Sequence, residues 1–174
     1  MKQVSSKLIG IFAIAIGLFA GCNASTSPNG TTTTPGSMVA TINGSSWSSA
    51  VVPGGITGGA TATRSSSGIV TVTGVSTDFT EITLVLYNPQ VGTVSLGTSA
   101  NLGEYSHGVP DTSSAYLSIP SLTNFNSGSV TITTFDTVNR QISGQFNFIG
   151  RKAHDFSDTV NVTNGSFYQV EWSK

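Results

Sequence analysis

Charge is the scarcest resource of this chain. Seven basic and eight acidic residues make up 9% of its 174 positions, against about a quarter in an average soluble domain. Helices of globular domains carry charged or long polar side chains on their outer face, so this poverty argues against a helical bundle. Cysteine occurs once, at Cys22, so no intrachain disulfide can staple the fold and stability must come from a packed core. Histidine occurs twice, at His107 and His154, and neither stands in a recognisable nucleophile–base setting. There is no Gly-x-Ser-x-Gly elbow, and Glu81, Glu104 and Glu171 fall in separate expected strands with no pattern pairing two carboxylates across a cleft. No catalytic residue is therefore assigned, and neither enzymatic activity nor a cofactor is expected. Long apolar runs are also missing: Leu8 to Phe19 is uninterrupted by polar residues, yet its 12 residues fall short of the roughly 20 that a spanning helix needs.

What is present begins at the N-terminus. Lys2 and Lys7 precede the Leu8 to Phe19 run, which leads into Leu18-Phe19-Ala20-Gly21-Cys22, the layout of an export signal. This segment resembles the bacterial lipobox, with Ala20 and Gly21 as the small residues before the cysteine and Phe19 where leucine is usual. The resemblance implies cleavage before Cys22 and acylation of its thiol and amine. Residues 1–21 are then a helical signal peptide, and several acyl chains give stable attachment where one alone binds marginally. From Asn23 to Ser37 the chain has no large apolar side chain and no charge, with Pro28, Gly30, Pro35 and Gly36 as breakers. Residues 22–37 thus read as the lipidated cysteine and a disordered tether. Loss of Lys2 and Lys7 leaves five basic against eight acidic residues, a charge near −3, and nucleic acid is not an expected partner. The expected location is the cell envelope, on the outer membrane first, with the periplasmic or surface side open.

Residues 38–174 suit a single domain. Around Gln141 to Ile149, Ile142, Gly144, Phe146 and Phe148 alternate with Gln141, Ser143, Gln145 and Asn147, the period of a strand with one buried face. Val130 and Ile132 alternate likewise, and Asp136 to Asn139 supplies turn residues for a hairpin. Phe79 to Tyr87 reads as a central strand, ended by Asn88-Pro89. Asn43-Gly44 between Ile42 and Trp47 is a short hairpin signal, because both residues accept positive φ. Weaker strands are expected at Ile56–Arg64, Ile69–Val75, Thr93–Leu96, Ala115–Ile119, Thr159–Val162 and Ser166–Trp172, the last two separated by a tight turn at Asn164-Gly165. The expected fold is all-β, a single antiparallel β-sandwich, with a calycin-like β-barrel as the alternative.

The opening Val39-Ala40-Thr41-Ile42-Asn43-Gly44 with Trp47, the middle Gly92-Thr93 to Leu96-Gly97, and the close from Asp136 through Ile142-Ser143-Gly144-Gln145-Phe146-Asn147-Phe148 to Val162-Thr163-Asn164-Gly165-Ser166-Phe167 together resemble an uncharacterised lipoprotein domain family of Gram-negative bacteria. That resemblance carries no activity and no catalytic residues with it.

Few residues offer themselves as a site. Glu104, His107 and Asp111 fall in a Gly- and Pro-bearing stretch and have side chains that bind metal ions, but three mixed ligands without a second motif are more simply a solvated loop, and no metal is assigned. Asp136 and Asn139 likewise read as an Asx-type turn before a calcium site. Arg151, Lys152, His154, Asp155 and Asp158 are the densest charged cluster, expected to cap a loop. For a ligand, Trp47, Tyr105 and Tyr116 are the candidate contacts, Trp47 fitting better as a seal on the core. The functional expectation is a membrane-anchored, non-enzymatic binding or interaction module for a glycan or an envelope protein. The alternatives are a calycin-like carrier of a small apolar ligand and a structural subunit of a surface fibre.

Overall fold

A computed structural model describes residues 34–50, 59–107, 114–119, 127–152 and 155–173. The expected signal peptide, Cys22, Asp111 and His154 lie outside the described residues, as does most of the expected tether. The described residues form eleven strands: β1 (Ser37–Ile42), β2 (Ser45–Ser48), β3 (Ala60–Arg64), β4 (Ile69–Val75), β5 (Thr80–Tyr87), β6 (Gly92–Ser95), β7 (Leu102–His107), β8 (Tyr116–Leu117), β9 (Gly128–Asp136), β10 (Gln141–Lys152) and β11 (Asp155–Ser173). The all-β expectation holds.

The strands form one hydrogen-bonded sheet in the order β2-β1-β11-β3-β4-β5-β7-β8-β10-β9-β6, and β11 also pairs with β10. The two longest strands explain how one sheet makes two layers. β10 pairs with β9 and β11 along most of its length and reaches β8 through Arg151 and Lys152, while β11 pairs with β1 up to Tyr168 and with β3 from Trp172 onward. Their ends thereby leave the β2-β1-β11-β10-β9-β6 layer and join the β3-β4-β5-β7-β8 layer, making the corners of a sandwich. Contacts between inner faces confirm the stacking: Gly74 of β4 lies under Met38 of β1, and Gly103 of β7 under the Phe148 ring of β10. One pairing departs from the antiparallel expectation, since β3 runs parallel to β11.

Strict alternation carries the core. β1, β4 and β5 bury every second residue, placing Met38, Val70, Val72, Ile82, Leu84 and Leu86 fully inside. Phe148 and Phe167 join them with 1% exposure each, and burying each such side chain is worth roughly 1.5–3 kcal/mol. This interior is filled by side chains, so the fold is sandwich-like and the calycin-like alternative has no ligand chamber in the described core. At Ile142-Ser143-Gly144 three consecutive residues are buried, because bulges shift the register of β10 against both neighbours. A Cβ on Gly144 would come within 2.6 Å of the Phe167 ring and 2.7 Å of the Thr131 carbonyl oxygen, which is why the Ile-Ser-Gly-x-Phe stretch has glycine at its third position.

The Asn43-Gly44 hairpin is present, with φ of 48° and 86°, the two positive values a type I′ turn requires. Asn164-Gly165 is not a turn between two strands. Asn164 takes φ of 51° inside the continuous 19-residue β11, which a left-handed asparagine can do as a bulge while the ladder continues on both sides. The stretch around Glu104 and His107 is also not a loop, because Leu102 to His107 forms β7 against β5.

Candidate functional site

The expected ligand contacts Trp47, Tyr105 and Tyr116 come together at one end of the sandwich. Trp47 packs with its ring against Gly74, near the C-terminal end of β4, and its Nε1 donates to Thr80 Oγ1 at 2.8 Å. Thr80 in turn donates to Asp78 Oδ1 at 2.9 Å, and the same oxygen accepts from the Ser76 hydroxyl. These hydroxyl donors hold the Asp78 carboxyl below the usual carboxylate range, Ser76 contributing most. The Tyr105 phenol is pushed up by burial and by the charge of Asp78, partly offset by a hydrogen bond with Thr80. Tyr105 and Tyr116 sit opposite each other on β7 and β8 with ring centroids 6.2 Å apart.

Beyond them, the Tyr116 hydroxyl donates to Asp158 at 3.1 Å, and Lys152 Nζ lies 3.6 Å from the same carboxylate and 5.8 Å from the Tyr116 ring centroid. Burial raises the Tyr116 phenol, and its hydrogen bond to Asp158 adds to this. Trp47 is 9% exposed and both tyrosines pack against the core. The polar tips of Trp47, Tyr105 and Tyr116 each have an internal partner, the arrangement of a packing seal.

The metal candidates separate. Alternation along β7 puts Tyr105 on the inner side, so Glu104 and His107, three residues apart, face opposite ways. Asp111 lies outside the described residues, and among those described no group of three or more His, Cys, Asp or Glu could hold a metal ion. Glu104 instead neighbours Glu81 on the outer face of β5 and β7, a juxtaposition the sequence pattern does not show. Burial, with Glu81 adding to it, raises the Glu104 carboxyl. Asp136 does make the Asx-type turn: Oδ1 accepts from the amides of Val138 and Asn139, both at 2.9 Å, and these bonds hold its carboxyl low.

The opposite end of β4 is different. Along one edge β11 is paired with β1 until Tyr168 and with β3 only from Trp172, so Gln169, Val170 and Glu171 belong to neither ladder on that side. Gln169 adopts φ of 45°, and the Ala60 amide at the start of β3 donates to the Gly36 carbonyl just before β1 at 2.7 Å. The resulting gap is an open furrow of three adjoining concavities of about 650, 320 and 300 Å³. Its lining includes Arg64, Arg140, Gln141, Gln169, Glu171 and Trp172.

Trp172 stacks on Phe135 with centroids 5.1 Å apart and planes 26° apart. The Arg64 guanidinium lies 5.5 Å from the Phe135 centroid and 5.8 Å from that of Trp172, within cation–π range. Arg140 has φ of 57°, and its carbonyl accepts from the Trp172 amide at 3.0 Å. Gln141 Nε2 makes one long bond, 3.4 Å, to Glu171 Oε1. Among the described residues the one ion pair is Lys152–Asp158, so neither furrow arginine faces a carboxylate at ion-pair distance. None of these furrow residues is singled out by sequence reasoning as a ligand contact. The available signal is slight: a late tryptophan, and an arginine directly after a turn.

No curated protein and no solved structure matches the chain. A family profile described as "Domain of unknown function (DUF6252)" matches residues 35–171, nearly the whole β domain including the motifs at Asn43-Gly44, Gly144 and Asn164-Gly165, and the chain belongs to that family.

Proposed function

We propose that this chain is a lipid-anchored protein of the bacterial cell envelope whose β domain is a non-enzymatic binding module, with glycans the first ligand class and an envelope protein the next. The anchor half of this reading rests on the Cys22 motif and the uncharged stretch behind it. The observation that carries the binding half is the furrow. A filled core leaves a ligand no room inside, while the cleft between β3 and β11 presents amide, carboxylate and guanidinium groups beside a tryptophan. Planar polar side chains arranged around an open cleft suit a hydroxyl-rich ligand better than an apolar one. A carrier of apolar ligands would need an enclosed apolar chamber. A fibre subunit would need a long free edge, whereas β2 and β6, the strands at the two ends of the sheet, are four residues each.

Two experiments test the reading. Mass spectrometry of the N-terminal peptide from the membrane fraction should find acylated Cys22, and an unmodified soluble chain would contradict the anchor. A glycan array probed with the purified protein, paired with a pull-down from envelope extract, should return a saccharide or a defined partner. Nothing in either would remove the binding reading.

A further inference from the structure

The furrow combines features that narrow the ligand beyond "glycan". Two of the three arginines of the chain line it, Arg64 and Arg140, with Glu171 as the one acidic residue in its lining. The positive surplus stands out because the residues from Cys22 onward carry more acid than base. Both arginines border the same concavity of about 300 Å³, together with Ser65, Ser66, Thr137 and Trp172. Arg64 is held over the faces of Phe135 and Trp172. A guanidinium is a planar fork of N–H donors, and that fork matches a carboxylate, sulfate or phosphate. The Arg140 carbonyl accepts from the Trp172 amide, so both arginines spring from backbone beside Trp172.

Next to this corner, Gln141, Gln169 and Glu171 line the adjoining concavity with Thr61, a set of amide, carboxylate and hydroxyl groups suited to sugar hydroxyls. Trp172 is 5% exposed, with Phe135 and Arg64 on it, so the furrow offers no apolar pocket for a peptide side chain.

We propose that the furrow is a binding site for an acidic saccharide, its anionic group held by Arg64 and Arg140 and its hydroxyls by Gln141, Gln169 and Glu171. The proposal rests on the glycan-binding reading given above and adds the site and the charge of the ligand. Trp172 provides a local probe, since the chain has two tryptophans and Trp47→Phe leaves Trp172 as the single emitter.

The detergent-solubilised Trp47→Phe protein is titrated with uronate-, sulfate- and phosphate-bearing oligosaccharides and with their neutral counterparts. Emission is expected to change with at least one anionic member and not with its neutral form. Arg140→Gln should weaken that binding about tenfold or more, as loss of a charge-assisted hydrogen bond does. Arg140 makes no side-chain contact in the core, and circular dichroism confirms that the variant is folded. Arg64→Gln should act likewise, whereas Lys152→Gln at the other end should leave binding unchanged. Binding confined to neutral saccharides, or anionic binding undiminished in both arginine variants, overturns the site while glycan binding stands. Silence from every saccharide removes both. Arginine-dependent binding to phosphatidylglycerol vesicles alone would overturn the saccharide assignment in favour of a membrane surface.

Discussion

The two ends of β4 solve the same problem in opposite ways. Each end of a sandwich must close an apolar core, and each uses a tryptophan. Trp47 gives its N–H to Thr80 within a chain of hydroxyls ending on Asp78, and the neighbouring tyrosines are tied to Thr80 and Asp158. Trp172 is instead covered by Phe135 and by an arginine without an acidic partner among the described residues. The first end pairs its aromatic donors internally, and the second leaves amide and guanidinium groups facing a cleft. Satisfied polar groups stabilise, while unspent ones are available for a ligand. The difference separates an end with a paired tryptophan from the end proposed to bind, without reference to any motif.

The largest test of that contrast is at Trp47. Trp47→Ala should cost about 3–5 kcal/mol, from the cavity and the exposed hydroxyl network, read as a shift in the urea midpoint. Removing the acceptor alone, by Thr80→Val, leaves a buried indole N–H unpaired and should cost about 1–3 kcal/mol.

At the other end, Arg64→Gln should cost about 1 kcal/mol or less, because an exposed cation–π contact is weak. An equal loss at Arg64 and Trp47 would break the comparison.

Acid sharpens it further. The folded Asp78 carboxyl titrates below its ordinary value, so its stabilisation is present above about pH 4 and is lost as pH falls through the folded value. Asp136 and Asp155 are also held low by turn hydrogen bonds, so Asp78→Asn must be compared with wild type. The variant should lose stability at neutral pH and show a shallower acid decline.

Glu104, on the outer face of β5 and β7, has the opposite sign. Its raised carboxyl means that ionisation is disfavoured in the fold, so Glu104→Gln should raise the neutral-pH Tm slightly. That gain should shrink as pH falls through the raised folded value and vanish below the ordinary carboxylate value.

Much of the fold can be read from local period. The alternation in β5, β9 and β10 and the Asn43-Gly44 turn are visible in the sequence because each strand shows the core one apolar residue in two. β7 hides because Leu102-Gly103-Glu104-Tyr105-Ser106-His107 puts a glycine where the Phe148 ring needs space, which removes an apolar beat. The unity of β11 hides because Asn164-Gly165 has the composition of a turn and the backbone of a bulge. The seal was partly legible, since Trp47, Tyr105 and Tyr116 are conspicuous aromatics, although their role there is packing. The furrow was not legible at all. It exists because β11 changes partners between Tyr168 and Trp172, an event fixed by strands more than a hundred residues apart in the chain and by no local pattern.

The contrast between the ends is tested most directly by two single-tryptophan proteins, Trp47→Phe and Trp172→Phe, titrated with the same acidic oligosaccharide. The account predicts an emission change from Trp172 in the first and none from Trp47 in the second. A response from Trp47, with Trp172 silent, would contradict it.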